Sequence, residues 1–120
     1  MTLTVKIYSY SKCTTCRKAL KWLEDNHINY QLIDIIESPP SKDVLADAMT
    51  QLGDRKKLFN TSGLSYRNLG SHVVKAMSDS EALEALAQDG KLIKRPFLMT
   101  EEGKIIVGFK VQDWIDNLII

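Results

Sequence analysis

Apolar and polar residues alternate with a period of two near the N-terminus, and a helical period follows. The alternation over Leu3–Tyr8 predicts a β-strand. Apolar side chains then recur at helical spacing between residues 14 and 26, on a face formed by Cys16, Ala19, Leu20 and Leu23. A second strand is predicted over Tyr30–Ile36. A helix between two strands predicts a right-handed βαβ crossover, whose first loop lies where open α/β sheets place their chemistry.

The middle of the chain shows only helical periodicity, from about Ser41 to Asp89. One apolar stripe ends at Gly53 and comprises Val44, Leu45, Ala48, Met49 and Leu52. The tetrapeptide Asn60–Gly63 predicts a turn between two short helical pieces. Ser78–Glu81 predicts a capping box at the start of a helix that Asp89 and Gly90 end. We interpret residues 38–92, approximately, as a helical insertion.

Two short strands and a helix are predicted at the end of the chain. Arg95–Thr100 and Lys104–Phe109 flank Glu101–Gly103, which is a hairpin signal. The closing amphipathic helix has the apolar positions Val111, Trp114, Ile115 and Leu118. The predicted order is β-α-β, helical insertion, β-β-α. No linker-like tract flanks the insertion, so we expect one α/β domain over residues 1–120.

Composition and charge indicate which partners and which cellular compartment to expect. The 120 residues are 44% hydrophobic, enough for a core, and the net charge is +1. A charge this small provides no global field for nucleic acid or for an anionic membrane. The chain shows no apolar signal core and no run approaching a membrane span, so we expect a cytoplasmic protein. The local basic cluster Arg55–Lys57 is interpreted as a solvated face.

The two cysteines, Cys13 and Cys16, lie at the junction of the first strand and the first helix. A Cys-x-x-Cys pair in this position is typical of a thioredoxin-like redox site. Unpaired backbone N–H groups and the positive end of the helix dipole favour a thiolate at Cys13. The nearby cations Lys12, Arg17, Lys18 and Lys21 act in the same direction. Cys16 lies one turn later, within disulfide-forming distance. Cys13 is therefore the predicted nucleophile and Cys16 the predicted resolving thiol.

Two other interpretations of the cysteines compete with the redox site. Both could be inert packing thiols, because free cysteine is often buried. Their position in a loop among cations favours the redox interpretation. A zinc site would need further ligands, and the available His27 and His72 do not have the spacing of a zinc finger. No metal is expected.

Three motifs together resemble the arsenate reductase (ArsC)/Spx family. They are Cys13–Arg17, Phe59–Gly63, and Leu92–Pro96 followed by a hairpin. The resemblance implies a thioredoxin-like fold in which Pro96 is a cis proline facing the active-site cysteine. It also implies that Arg95 stabilises the thiolate and an anionic substrate. The candidate catalytic residues are Cys13, Cys16 and Arg95, and the candidate substrate-binding residues are Lys12, Thr14, Thr15, Arg17 and Pro96.

The resemblance implies a thiol-dependent oxidoreductase acting on a disulfide or on an oxyanion such as arsenate. No cofactor is expected to be bound, and glutathione, glutaredoxin or thioredoxin would supply electrons. In glutaredoxin-linked arsenate reductases, three arginines hold the oxyanion. Arg95 matches one of them, whereas the other two positions fall on Asn60 and near Gly108. A tetrahedral anion is best held by several guanidinium groups, so these departures weigh against arsenate unless Arg17 or Arg67 substitutes.

The alternative function is a redox-sensing regulator of the Spx type. The resemblance implies that Cys-x-x-Cys would then be an oxidation switch, and that the partner would be the C-terminal domain of the RNA polymerase α subunit. The near-neutral charge argues against direct DNA readout and leaves a protein partner open.

Overall fold

A computed structural model describes residues 4–119, and these form two compact units. Residues 4–34 and 95–119 form a sheet unit, and residues 35–94 form a mainly helical unit that contains the predicted insertion. The predicted α/β class and element order are confirmed. The single domain over residues 1–120 stays a prediction.

The sheet unit contains a mixed four-stranded sheet with the order β2-β1-β3-β4. The strands are β1 (Thr4–Ser9), β2 (Asn29–Asp34), β3 (Phe97–Met99) and β4 (Ile105–Val107). Strands β1 and β2 are parallel, as the predicted crossover requires, and the other neighbours are antiparallel. Leu3, the first residue of the predicted first strand, lies outside the described residues. The second strand ends at Asp34 rather than Ile36, because the backbone turns at Ile35 and buries that side chain.

Helices α1 (Thr14–Asp25) and α6 (Val111–Leu118) contribute to the core of the sheet unit. This core contains Val5, Ile7, Ala19, Leu23, Leu98, Ile106, Trp114 and Leu118. Trp22 packs edge-on against Phe109 and Trp114. The sequence analysis placed Val111 and Ile115 on the apolar face of α6, but both side chains are exposed. A helix of eight residues buries only the pair one turn apart, Trp114 and Leu118.

The helical unit contains α2 (Lys42–Leu52), α3 (Leu64–Leu69), α4 (Ser71–Ala76) and α5 (Asp79–Gln88), with 3₁₀ turns at Arg55–Leu58 and Gly90–Leu92. Helix α4 was not predicted. The capping box is confirmed, since the hydroxyl of Ser78 accepts from the Glu81 N–H and the Glu81 carboxylate accepts from the Ser78 N–H. Gly53 ends α2 with a φ of 74°, a conformation that favours glycine.

Gly90 has a different role from the predicted helix stop. Helix α5 ends at Gln88, and Gly90 begins the following 3₁₀ turn. The backbone carbonyl of Ile35 occupies the space that a Cβ at Gly90 would need. Close approach of two backbone segments, rather than a left-handed conformation, therefore requires glycine here.

Arg55 corrects the interpretation of the middle basic cluster as a solvated face. Its guanidinium donates to the carbonyls of Val74 and Lys75, at 3.0 and 3.2 Å, and pairs with Asp79 at 3.2 Å. The side chain is only 21% exposed. Arg55 thus provides hydrogen-bond donors to carbonyl groups at the end of α4. Lys56 and Lys57 are exposed, as predicted.

None of the helices between residues 4 and 119 combines the length and apolar character needed to cross a bilayer. The cytoplasmic location stays a prediction.

Candidate active site

Cys13 is the N-cap residue of α1, with extended backbone angles of φ −99° and ψ 111°. Its sulfur accepts a hydrogen bond from the backbone N–H of Cys16 at 3.2 Å. The Cys13 carbonyl accepts from the Arg17 N–H, and the Cys13 N–H donates to the Tyr10 carbonyl at 3.0 Å. The sulfur thus takes the place of the oxygen that usually caps a helix. The Cys13 sulfur therefore faces a backbone N–H at the start of α1, and its thiolate character stays a prediction.

Cys16 lies one turn later and is fully buried, whereas Cys13 is half-buried. Burial, followed by the hydrogen bond with Cys13, raises the pKa of Cys16 from 9.0 to about 11. Hydrogen bonds from the Tyr10 backbone and the Ser9 side chain lower that pKa in part. The structure describes both as free cysteines. One thiol is accessible at a helix N-terminus, and the other is shielded and protonated at neutral pH.

The raised pKa of Cys16 predicts a loss of stability at alkaline pH. The unfolded chain ionises this thiol at its ordinary pKa, whereas the folded protein keeps it neutral until about pH 11. The free energy of unfolding should therefore fall as pH rises from 9.0 to about 11. We expect the fall to be about 1–2 kcal/mol, after allowance for screening by solvent.

The measurement is urea unfolding under a reductant at several pH values, for the wild type and for Cys16→Ala. The difference between the two proteins isolates the titration of Cys16. Parallel curves above pH 9 would show that burial does not hold the Cys16 thiol neutral.

The Arg95–Pro96 peptide bond is cis, as the resemblance implied, and Pro96 is buried directly before β3. The guanidinium carbon of Arg95 lies 5.2 Å from the centre of the Tyr10 ring, in a cation–π arrangement. Tyr10 therefore contacts Arg95 through its ring and Cys13 through its carbonyl. The placement of Arg95 against the Cys13 sulfur stays a prediction.

Tyr10 is the site residue that the sequence analysis did not select. Its position in the cysteine loop could have suggested it, because loop aromatics next to a reactive group often contact a ligand. Nothing in the local pattern identifies its partner, since Arg95 is distant along the chain.

The predicted substrate-binding residues of the cysteine loop and first helical turns are exposed, namely Lys12, Thr14, Thr15 and Arg17. Arg17 also lines a groove with Tyr10 and with residues of β2. All the predicted site residues belong to the sheet unit. Substrate binding by them stays a prediction.

Asn60 and Gly108 fall at or near positions where the resemblance predicts an arginine, and neither residue provides a guanidinium group. Gly108 has a φ of 74°, so a side chain there would be strained. Its N–H donates to the Pro96 carbonyl at 2.9 Å, and its carbonyl accepts from the Trp114 indole at 3.1 Å. Asn60, in the helical unit, donates its backbone N–H to the Leu92 carbonyl. The backbone conformation at position 108 therefore favours glycine, independently of any role in binding an oxyanion.

Within residues 4–119, no group of three or more His, Cys, Asp or Glu side chains is placed to hold a metal ion. His27 follows α1 with a φ of 55°, and His72 lies exposed on α4.

Comparison with known proteins identifies the family. The ArsC family model matches residues 8–117. The uncharacterized protein YusI of Bacillus subtilis is 47% identical over 117 residues, which cover 96% of this chain and 98% of YusI. The global transcriptional regulator Spx of Streptococcus pyogenes is 29% identical over 107 residues, 88% of this chain and 78% of Spx. A possible arsenate reductase from Streptococcus mutans has a crystal structure with a TM-score of 0.84 and 42% identity, covering 91% of this chain and 95% of that one. The chain therefore belongs to the ArsC family.

Proposed function

We propose that this protein is a thiol-dependent oxidoreductase in which Cys13 is the nucleophile and Cys16 the resolving thiol. The observation that carries the proposal is the difference between the two cysteines. The Cys13 sulfur accepts a backbone N–H at the start of α1, whereas Cys16 is fully buried with a pKa of about 11. Membership of the ArsC family and the likeness to a possible arsenate reductase support thiol redox chemistry.

The proposed reaction with a disulfide has two steps. The Cys13 thiolate attacks one sulfur of the substrate, forms a mixed disulfide and expels the other half as a thiolate, which takes a proton from water. Cys16 then loses its proton, attacks the Cys13 sulfur and expels the second half. The substrate gains two electrons, and the protein dithiol becomes a disulfide. A thiol reductant of the glutathione, glutaredoxin or thioredoxin class returns the dithiol.

The site provides a physical reason for this order of steps. Two of the influences that raise the pKa of Cys16 come from Cys13, through their hydrogen bond and through its charge. Both influences are lost once the Cys13 sulfur is part of a mixed disulfide. The hydrogen bonds from Ser9 and the Tyr10 backbone then favour ionisation of Cys16. Burial, the largest cause of the raised pKa of Cys16, persists in the mixed disulfide, so loss of the two influences of Cys13 makes Cys16 easier to ionise without removing the whole shift.

A disulfide substrate fits the sequence and structure better than arsenate. The chain carries a second thiol, Cys16, one helical turn after Cys13, and the proposed resolution step would use it. It lacks arginine at Asn60 and at Gly108, where the backbone favours glycine. Arsenate is tested as a second oxidant, because Arg95 or Arg17 could bind an oxyanion together with another group.

The test is NADPH consumption in coupled assays, with either glutathione, glutathione reductase and glutaredoxin, or thioredoxin and its reductase. Each system receives a low-molecular-weight disulfide or arsenate as the oxidant, and Cys13→Ser protein provides the background rate. We expect turnover with the disulfide above this background. Turnover with arsenate instead would assign the oxyanion substrate, and no turnover with either oxidant would contradict the proposed enzyme.

The second candidate is a redox-switched regulator, favoured by the 29% identity to Spx across most of this chain. In that case the same cysteines would form a disulfide that changes binding to the C-terminal domain of the RNA polymerase α subunit. The measurement is binding of the purified α-subunit domain to the oxidised and reduced protein. Binding confined to the oxidised form, together with no turnover, would favour regulation.

A further inference from the structure

Tyr10 joins two parts of the sheet unit that lie far apart in the sequence. Its ring contacts Arg95, which precedes β3 by two residues, and its backbone contacts the cysteine loop. We propose that Tyr10 is a positioning residue, whose ring holds the Arg95 guanidinium beside the cysteine loop and thereby favours the reaction of Cys13 with anionic disulfides. The proposal rests on the proposed function, since Cys13 is the nucleophile that would attack the disulfide.

The contact between the two side chains places a positive charge over an aromatic ring. The guanidinium carbon of Arg95 lies 5.2 Å from the centre of the Tyr10 ring, inside the limit of about 6 Å for a favourable cation–π interaction. Both residues are half-buried, so water screens this contact less than it would at a fully exposed site. The ring attracts the charge as a whole, and a guanidinium has several N–H donors for the protein and for a ligand.

A fixed ring is useful to an arginine because the arginine side chain is long and loses much rotamer freedom when it is ordered. A guanidinium that is already held in place loses less of this freedom when it receives an anion. The side chain of Tyr10 has only two rotatable bonds before its ring, so it is a more rigid element than Arg95. The ring therefore provides a surface on which Arg95 is ordered before a substrate arrives.

The backbone of Tyr10 fixes its position relative to both cysteines. Its carbonyl accepts the Cys13 N–H at 3.0 Å, and a hydrogen bond from the Tyr10 backbone reaches the Cys16 thiol. Tyr10 also follows directly after β1, which is an inner strand of the sheet. These backbone contacts do not depend on the ring. We therefore expect removal of the ring to release Arg95 and to leave the cysteine loop in place.

A purely structural role for Tyr10 predicts a different result. If the ring only packed against its neighbours, its removal would disturb the loop and slow the reaction of Cys13 with every disulfide to the same extent. Positioning of a cation instead predicts a selective loss with disulfides that carry negative charge, because only these gain from the Arg95 guanidinium. The ratio of the rate constants for an anionic and a neutral disulfide therefore separates the two roles.

The test uses Cys16→Ser protein, in which the reaction stops at the mixed disulfide. The Cys13 thiolate bonds to one sulfur of the probe, the S–S bond of the probe breaks, and the other half leaves with the electron pair as a coloured product. The anionic probe is dithiobis(nitrobenzoate), with a carboxylate on each half. The neutral probe is dithiodipyridine, whose leaving half takes a proton from water. We expect Tyr10→Leu to lower the ratio of the anionic to the neutral rate constant about fivefold, as expected for one partly exposed cation–π contact.

Two controls show whether the aromatic ring at this position is responsible. Tyr10→Phe keeps the aromatic face and should retain the ratio within about twofold. Tyr30→Leu is the matched control, because Tyr30 is another half-buried tyrosine of the sheet unit and its hydroxyl donates to Glu24. This variant should leave the ratio unchanged. An unchanged ratio in Tyr10→Leu, or an equal fall in either control, would overturn the proposal.

A double variant shows whether Tyr10 acts through Arg95. Arg95→Met alone should lower the ratio at least as much as Tyr10→Leu does, because it removes the cation itself. In Arg95→Met protein, Tyr10→Leu should cause no further fall, since no guanidinium remains to be positioned. A second fall of about fivefold in the double variant would show that the ring acts independently of Arg95 and would overturn the proposal.

The NMR signal of the Arg95 Nε–H separates this proposal from the proposed function. The signal is assigned by its loss in Arg95→Met, and Tyr10→Leu should move it because the ring no longer lies against the guanidinium. An unmoved signal would overturn the positioning of Arg95 even if both probes react. A moved signal, together with no reaction of either probe with Cys13, would support the positioning and contradict the oxidoreductase.

Discussion

Replacing Cys13 with serine should lower the rate of reaction with a disulfide by about a thousandfold or more. A serine hydroxyl is not ionised at neutral pH and cannot form the mixed disulfide. It can still accept the Cys16 N–H at the start of α1, as serine commonly does in N-caps. The fold should therefore be retained, with a change in the free energy of unfolding below about 1 kcal/mol. The measurement is the rate of adduct formation, with unfolding in urea measured on the same protein.

Cys16→Ser is the matched variant and should give the opposite pattern. The first step depends on the Cys13 thiolate and should continue, whereas the mixed disulfide should accumulate because no second thiol resolves it. Coupled turnover would then require an external thiol. If Cys13→Ser retains adduct formation and Cys16→Ser loses it, the roles of the two cysteines are reversed and the argument from the helix N-terminus is wrong.

Trp114→Ala should lower the free energy of unfolding by about 4 kcal/mol. Trp114 is fully buried in the core of the sheet unit. Its ring centre lies 5.7 Å from that of Trp22 and 4.9 Å from that of Phe109, both in edge-on contact. Alanine would leave a cavity and remove these aromatic contacts. Urea unfolding at neutral pH measures the loss.

Trp114→Phe separates the loss of volume from the loss of a hydrogen bond. Phenylalanine retains much of the apolar contact but cannot donate to the buried Gly108 carbonyl, which the indole N–H contacts at 3.1 Å. We expect a cost of about 1–2 kcal/mol. A cost as large as that of alanine would show that the hydrogen bond, rather than the filled volume, dominates the contribution of Trp114.

Local patterns predicted the elements whose signals lie within a few residues of one another. The alternation before Tyr8, the helical stripe from Cys16 to Leu23 and the capping box at Ser78 all correspond to structure at those positions. The N-cap geometry of Cys13 belongs to this class, because its hydrogen bond joins residues within one helical turn. Turn and cap chemistry acts over short distances, so a sequence can indicate it directly.

Predictions about which face of an element is buried succeeded less well. Ile115 has the spacing of a core residue, yet it is exposed on α6, and Ile35 leaves the predicted strand to become buried in the helical unit. Arg55 was predicted to lie on a solvated face, but its guanidinium donates hydrogen bonds to carbonyls near the end of α4. Each outcome depends on neighbours that are distant along the chain.

The sequence by itself determined the α/β class, the position of the two cysteines at a helix N-terminus and the candidate roles of Cys13 and Cys16. Only the tertiary structure decided that Cys16 is fully buried, that Tyr10 contacts Arg95, and that Arg17 and Asp34 line one groove. The physical reason is the range of the interactions involved. Helix caps and periodicity act between near neighbours, whereas desolvation, cation–π contact and groove formation require segments that the fold brings together.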